Sequence, residues 1–346
     1  MSKSSSTVEQ PKLRTRPLAA TLVLIGGAAA LLFSIALAIS YGAADIKFTT
    51  VWAAVFHFNP NLTSHQVIQE IRLPRVLASA LVGASFAVAG ALMQGMTRNP
   101  MADSGLLGLN SGAGFVLSLC FAFAPGMSYN SIIACCFLGA ALGAGIVFGI
   151  GSLAKGGLTP VRLVLAGAAV SALLTALSEG IQLSFKIGQD IAFWMAGGVA
   201  GTKWSQLEII TPWLAVAFIG ALMISKSITL LSLGEEIASS LGQRTGLVKL
   251  IAMLIVLVLA GVSVSVVGAV AFVGLLVPHV TRYLVGVDYR WIIPCSAILG
   301  GLLVVLADLA ARMINPPMEN IPLGAVISMI GVPFFLYLAR KERRGL

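Results

Sequence analysis

The sequence predicts an all-α, polytopic membrane protein of about ten transmembrane helices. Three observations predict it. Of 346 residues, 58% are hydrophobic and only 10% charged, where a soluble domain carries about 25% charged residues. The apolar residues come in long blocks, not as a helical stripe or a strand alternation. Beyond the N-terminal tail, no polar stretch is long enough to enclose a soluble core. Residues 1–16 read as a cytoplasmic tail, rich in Ser and polar residues and expected to be disordered. Residues 17–346 read as a single transmembrane domain.

The apolar blocks run over 18–40, 73–96, 105–124, 131–154, 161–184 and 208–225, then from about 247 to 286, then 291–311 and 321–339. The block from 18 to 40 follows Lys12, Arg14 and Arg16 as a secretory signal would. It exceeds the roughly 7–15 apolar residues of such a signal and reads as an uncleaved first span. The block from 247 to 286 is too long for one crossing of roughly 20 residues. Gly268, Gly274 and Pro278 interrupt it, so it divides into two spans, the second short. The total is ten.

An even count places both termini on one side, and charge selects which. With a cytoplasmic N-terminus, sixteen of the 22 basic residues fall inside. Six fall outside: Lys47, Arg72, Arg75, Lys186, Lys203 and Arg312. This bias satisfies the positive-inside rule and puts both termini in the cytoplasm. The net charge of +9 does not point to nucleic acid, because basic residues sit at block ends and form no basic face interleaved with aromatics.

Glycine is abundant, with 37 residues, and in lipid small residues let helices approach closely. Two GxxxG patterns, Gly139/Gly143 and Gly145/Gly149, lie in the fourth block. Cys120, Cys135, Cys136 and Cys295 all lie within apolar blocks without CxxC spacing and read as packing thiols. Trp194, Trp204 and Trp213 read as interfacial belt residues.

Several chemistries have no motif. There is no G-x-x-x-x-G-K-[ST] phosphate loop, no HExxH and no GxSxG. His57, His65 and His279 are isolated and read as ordinary loop or cap residues. An ion-coupled carrier needs ionisable groups deep in the membrane. Glu179 and Asp308 come nearest, each toward the outer end of its span. No cofactor is expected on this chain.

Three stretches narrow the class. The first holds Ile71-Arg-Leu-Pro-Arg75, Leu81-Val-Gly83, Gly90-Ala-Leu-Met-Gln-Gly95 and Asn99-Pro-Met-Ala-Asp-Ser-Gly-Leu-Leu-Gly108. The second is Leu233-Gly-Glu-Glu-Ile-Ala-Ser-Ser-Leu-Gly242. The third runs from Gly268 through Pro278 and His279 to Arg282, with Ala307-Asp-Leu-Ala-Ala-Arg312 and Ile321-Pro-Leu-Gly324 following. In order and spacing, over nearly the whole chain, these resemble the FecCD family of ABC-importer permeases. That family carries iron–siderophore complexes, haem or cobalamin. Two departures stand out. A proline common in the family's inner loop is missing after Met101, and Asn320 stands where a Glu is frequent, with Glu319 one residue earlier.

The resemblance implies the type II importer architecture and a set of partners. These are a second permease, identical or paralogous, two cytoplasmic ATP-binding subunits that use the ATP, and an extracytoplasmic substrate-binding protein. It further implies alternating access, with an iron–siderophore complex as substrate and no enzymatic activity in this chain. Residue by residue, Arg72, Arg75 and Arg312 match positions that pair with carboxylates of the binding protein. Headgroup contact or loop capping stays open for them, as does an intrahelical partnership of Arg312 with Asp308, one turn earlier. Leu233, Gly234, Glu235, Glu236, Ile237, Ala238, Leu241 and Gly242 match the coupling helix that docks on the ATPase. Pro160, Val161, Gly167, Ser171 and Thr175 fall where the family lines its path, with ordinary packing the alternative. The rival from another class is an ion-coupled secondary transporter acting without an ATPase.

Overall fold

A computed structural model describes residues 16–41, 46–153, 160–196, 198–314 and 322–343. The tail expected to be disordered and the Glu319/Asn320 departure lie outside these residues. The described residues form fourteen α-helices. In chain order they are α1 (Pro17–Ser40), α2 (Phe48–Phe56), α3 (Thr63–Val67), α4 (Leu73–Thr97), α5 (Leu109–Phe123), α6 (Tyr129–Leu153) and α7 (Pro160–Phe185). There follow α8 (Gly188–Ala196), α9 (Trp204–Leu233), α10 (Glu235–Ser240), α11 (Thr245–Val267), α12 (Val273–Val285), α13 (Tyr289–Ile314) and α14 (Leu323–Arg343).

Each of the ten apolar blocks falls on a helix. Among the described residues, seven helical stretches are long and apolar enough to cross a membrane: α1, Thr63–Thr97, α6, α7, α9, α11 and α13. Leu109–Phe123, Val273–Val285 and Leu323–Leu336 are shorter apolar helices. At 1.5 Å per residue, α12 spans only about 20 Å.

The α4 helix is the hub, packed against α9, α11, α12 and α13. Most of its side chains are buried, which explains its continuous apolar pattern. It continues from α3 through a π-type turn, Ile68–Arg72. Pro74 supplies no N–H to the preceding turn, and a wider turn accommodates the lost bond. Close packing depends on glycine. A methyl on Gly83 would lie 2.2 Å from the Gly300 carbonyl of α13, and one on Gly112 would lie 2.2 Å from the Gly139 carbonyl of α6. The first GxxxG pattern, Gly139/Gly143, therefore packs α6 on α5. Gly145 of the second pattern faces open space.

The long block breaks where Gly268 and Phe272 both take positive φ, 74° and 67°. Only Gly268 of the three expected breakers acts as one. Gly274 and Pro278 lie inside α12, and Gly274 instead lets the backbone of α4 approach at Gly90. The short helices α2, α3 and α8 fall in segments the hydropathy pattern leaves as loops. All four cysteines are free thiols. Trp204 and Trp213 are exposed, and Trp194 is half-buried against Phe121 and Tyr129.

Candidate functional site

Three regions hold the sequence-predicted residues. The first gathers Arg72, Arg75 and Arg312 at one end of the bundle. The last carbonyls of α1 have no intrahelical donors, and its C-terminus carries the negative end of the helix dipole. Arg72 donates from Nη1 to Ile39 O at 2.6 Å and Ser40 O at 3.0 Å. Arg312 donates from Nη1 to Ala38 O at 3.0 Å and Tyr41 O at 3.3 Å. Its Nη2 also donates to Asp308 Oδ2 at 2.8 Å. Arg75 grips the same carboxylate through Nε and Nη2, at 3.1 and 2.9 Å to Oδ1. The three arginines are only 6–7% exposed, and Asp308 only 2%. They do converge, but their guanidiniums point into the bundle and join α1, α4 and α13. The intrahelical Arg312–Asp308 pair is present too, as one part of this cluster.

The second region is α10. Gly234, at φ 140°, ends α9 and redirects the chain into α10, and Gly242, at φ 81°, follows it. Ala238 is buried and anchors the helix. Leu233, Ile237 and Leu241, each four residues apart, are all exposed. Glu235 accepts from Lys249 Nζ at 2.6 Å and from Thr245 Oγ1 at 3.2 Å. The bond from Lys249 holds its carboxyl below the usual range. Glu236 is exposed. The result is an apolar strip beside a carboxylate, presented outward by a short, anchored helix.

The third region is a cavity of about 470 Å³ between α5, α7 and α8. Ser171 and Thr175 line it, together with Ser178, Glu179 and Gln182 from the same face of α7. Their spacing of three to four residues makes the stripe. Asn110 and Ser111 of α5 face them. The wall is knitted by hydrogen bonds: Ser118 Oγ and Ser178 Oγ lie 2.6 Å apart, and Gln182 Nε2 donates to Ser178 Oγ at 2.9 Å. Gly167 is buried and does not line the cavity. Pro160 opens α7, its fixed φ suiting a first helical position, and Val161 follows it.

Motif reading passed over one further contact. Pro278 has no N–H, so the Gly274 carbonyl one turn earlier loses its helical partner. Gln94 of α4, 1% exposed, donates Nε2 to Gly274 O at 3.2 Å and Leu275 O at 3.3 Å. Its Oε1 accepts from Arg282. A proline within a buried apolar helix was the available signal, since some donor must meet the freed carbonyl.

Comparison with known proteins identifies the family. A profile of the FecCD transport family matches residues 30–341. The chain belongs to the FecCD transport family. It is 54% identical to the iron(3+)-hydroxamate import system permease protein FhuB of Bacillus subtilis over 98% of this chain and 88% of that protein. It is 42% identical to the iron-uptake system permease protein FeuB of the same organism, over 93% and 96% of the two chains. Its fold matches a solved inward-facing metal-chelate type ABC transporter at a TM-score of 0.81 and 27% identity, covering 93% of this chain and 99% of that one. This FecCD protein is therefore a multi-pass membrane permease of the ABC importer class, and its relatives are transport subunits, not enzymes. The carrier that acts alone is not favoured.

Proposed function

We propose that this FecCD permease imports ferric siderophores, hydroxamates first among them, by alternating access coupled to ATP hydrolysis on partner subunits. The observation that carries the reading is the outer side of α7. Thr175 and Glu179 lie exposed on an apolar helix whose Leu165, Leu173 and Leu177 are exposed as well. A carboxylate on a membrane helix belongs against water or a protein partner, not lipid. A second permease covering this face would enclose a path walled by the α7 stripe. The hydroxamate choice follows the 54% identical relative.

In this reading all ten apolar helices cross the membrane, α5 and α12 buried among the others, and both termini are cytoplasmic. The α10 helix then lies on the cytoplasmic side, where Leu233, Ile237 and Leu241 would enter a groove of the ATPase with Glu235 and Glu236 alongside. The arginine cluster lies on the opposite side. We propose a docking role for Arg72, Arg75 and Arg312 in addition to their internal bonds: the concentrated positive charge of the cluster draws binding-protein carboxylates to this end of the bundle. Arg312→Lys tests this, because it keeps the charge and loses the fork. Docking predicts weaker uptake that excess binding protein restores, and a loss indifferent to binding-protein concentration would contradict it.

The test of the function is uptake of labelled ferric hydroxamate by cells lacking this chain, before and after its restoration. Uptake should return with the chain and vanish on ATP depletion. Restored cells that take up no ferric siderophore would refute the proposal.

A further inference from the structure

We infer that Glu179 makes the cavity a charge-selective subsite, admitting neutral and cationic ferric chelates and disfavouring anionic ones. The inference rests on the proposed import path and deepens it by adding selectivity at the membrane step. Glu179 is exposed in the cavity wall and makes no hydrogen bond or ion pair among the described residues. Every other polar lining side chain is a neutral hydroxyl or amide, and no Lys or Arg lines the cavity among the described residues. Lys186 stands two turns past Glu179, roughly 10 Å along the chain direction. It lies outside the lining, and Asp190 of α8, four residues further on, carries the opposite charge. The field in the cavity is therefore negative, and low-dielectric walls strengthen it relative to bulk water.

The chemistry of the chelates divides along the same line. Hydroxamate groups each carry one negative charge, so a full set neutralises the ferric ion. An amine tail then makes the complex cationic. Catecholate and citrate ligands bring more negative charge than the metal cancels. Ser171, Thr175, Asn110 and Gln182 offer donors and acceptors to an amide-rich complex of either permitted charge. With a second permease closing the path, two copies of Glu179 would face the passing chelate. Like charge would then repel an anionic one.

The test uses one hydroxamate scaffold with three tails: a free amine, its neutral acetyl derivative and its anionic succinyl derivative. Uptake is measured in vesicles holding the reconstituted transporter, with the binding protein saturated by each chelate. Glu179→Gln should lower the cationic-to-neutral uptake ratio roughly tenfold, equivalent to about 1.4 kcal/mol. Glu179→Lys should raise the anionic-to-neutral ratio by a similar factor. Ratios unchanged in both variants, or equal losses for all three chelates, would overturn the inference. Wild-type vesicles that transport none of the three with ATP would instead overturn the importer reading, a pattern distinct from unchanged ratios.

Discussion

Replacing Asp308 by Asn should destabilise the protein more than any other single change at that end of the bundle. Asp308 accepts from Arg75 at two nitrogens and from Arg312 at one, with all partners under 8% exposed. Asparagine keeps the shape but removes the charge, leaving two guanidiniums buried without their carboxylate. Removing one partner of a buried ion pair costs about 3–5 kcal/mol, because the remaining charge stays desolvated. At about 2 °C per kcal/mol for a chain of this size, the melting midpoint should fall by roughly 6–10 °C. The buried thiols of Cys120, Cys136 and Cys295 supply the assay, since a thiol-reactive dye brightens as unfolding exposes them. A companion variant, Arg75→Met with Asp308→Leu, leaves one guanidinium, that of Arg312, without the carboxylate instead of two, and should lose less than Asp308→Asn alone. A midpoint within 2 °C of wild type for Asp308→Asn would refute the buried-cluster account, as would a double variant worse than the single.

Other expectations follow from the remaining contacts. Gln94→Leu orphans the carbonyl freed by Pro278 and should cost about 1–3 kcal/mol, read by the same thermal assay. Gly83→Val drives a side chain into the Gly300 backbone and should prevent accumulation of folded protein, whereas Gly145→Ala, facing open space, should not. On α10, Ile237→Ser combined with Glu236→Arg should abolish co-purification of the ATP-binding subunit while leaving the melting midpoint close to wild type. Glu235 has a lowered folded pKa, so its bond to Lys249 contributes above the unfolded carboxyl value and is lost as pH falls through the folded one. Because the pair is partly exposed, Lys249→Ala should cost under about 1 kcal/mol at neutral pH, and the difference should vanish in acid.

The helices were legible because lipid-facing and fully buried spans both read as long apolar runs, so hydropathy located every block. Position did not reveal direction. Arg72, Arg75 and Arg312 sit at block ends, where a charge count places them correctly at one end of the bundle. The count cannot show that the free carbonyls of α1 draw them inward. Gly268 and Gly274 look alike in sequence, yet one adopts positive φ and breaks a helix, and the other clears space for α4. The α8 helix was hidden because nine residues are too few to carry a periodic signal that separates helix from loop. In the cavity, Ser171 and Thr175 were named from the family resemblance, which places the path along this span. Ser178 and Gln182 share their face and could have been added from the same spacing.

Transport by the purified assembly, in vesicles without any ion gradient, tests the central claim most directly. The assembly comprises this permease, its ATP-binding subunits and the binding protein. Accumulation of ferric hydroxamate that requires hydrolysable ATP and persists with ionophores is the predicted result. Accumulation without ATP, abolished by ionophores, would contradict the account.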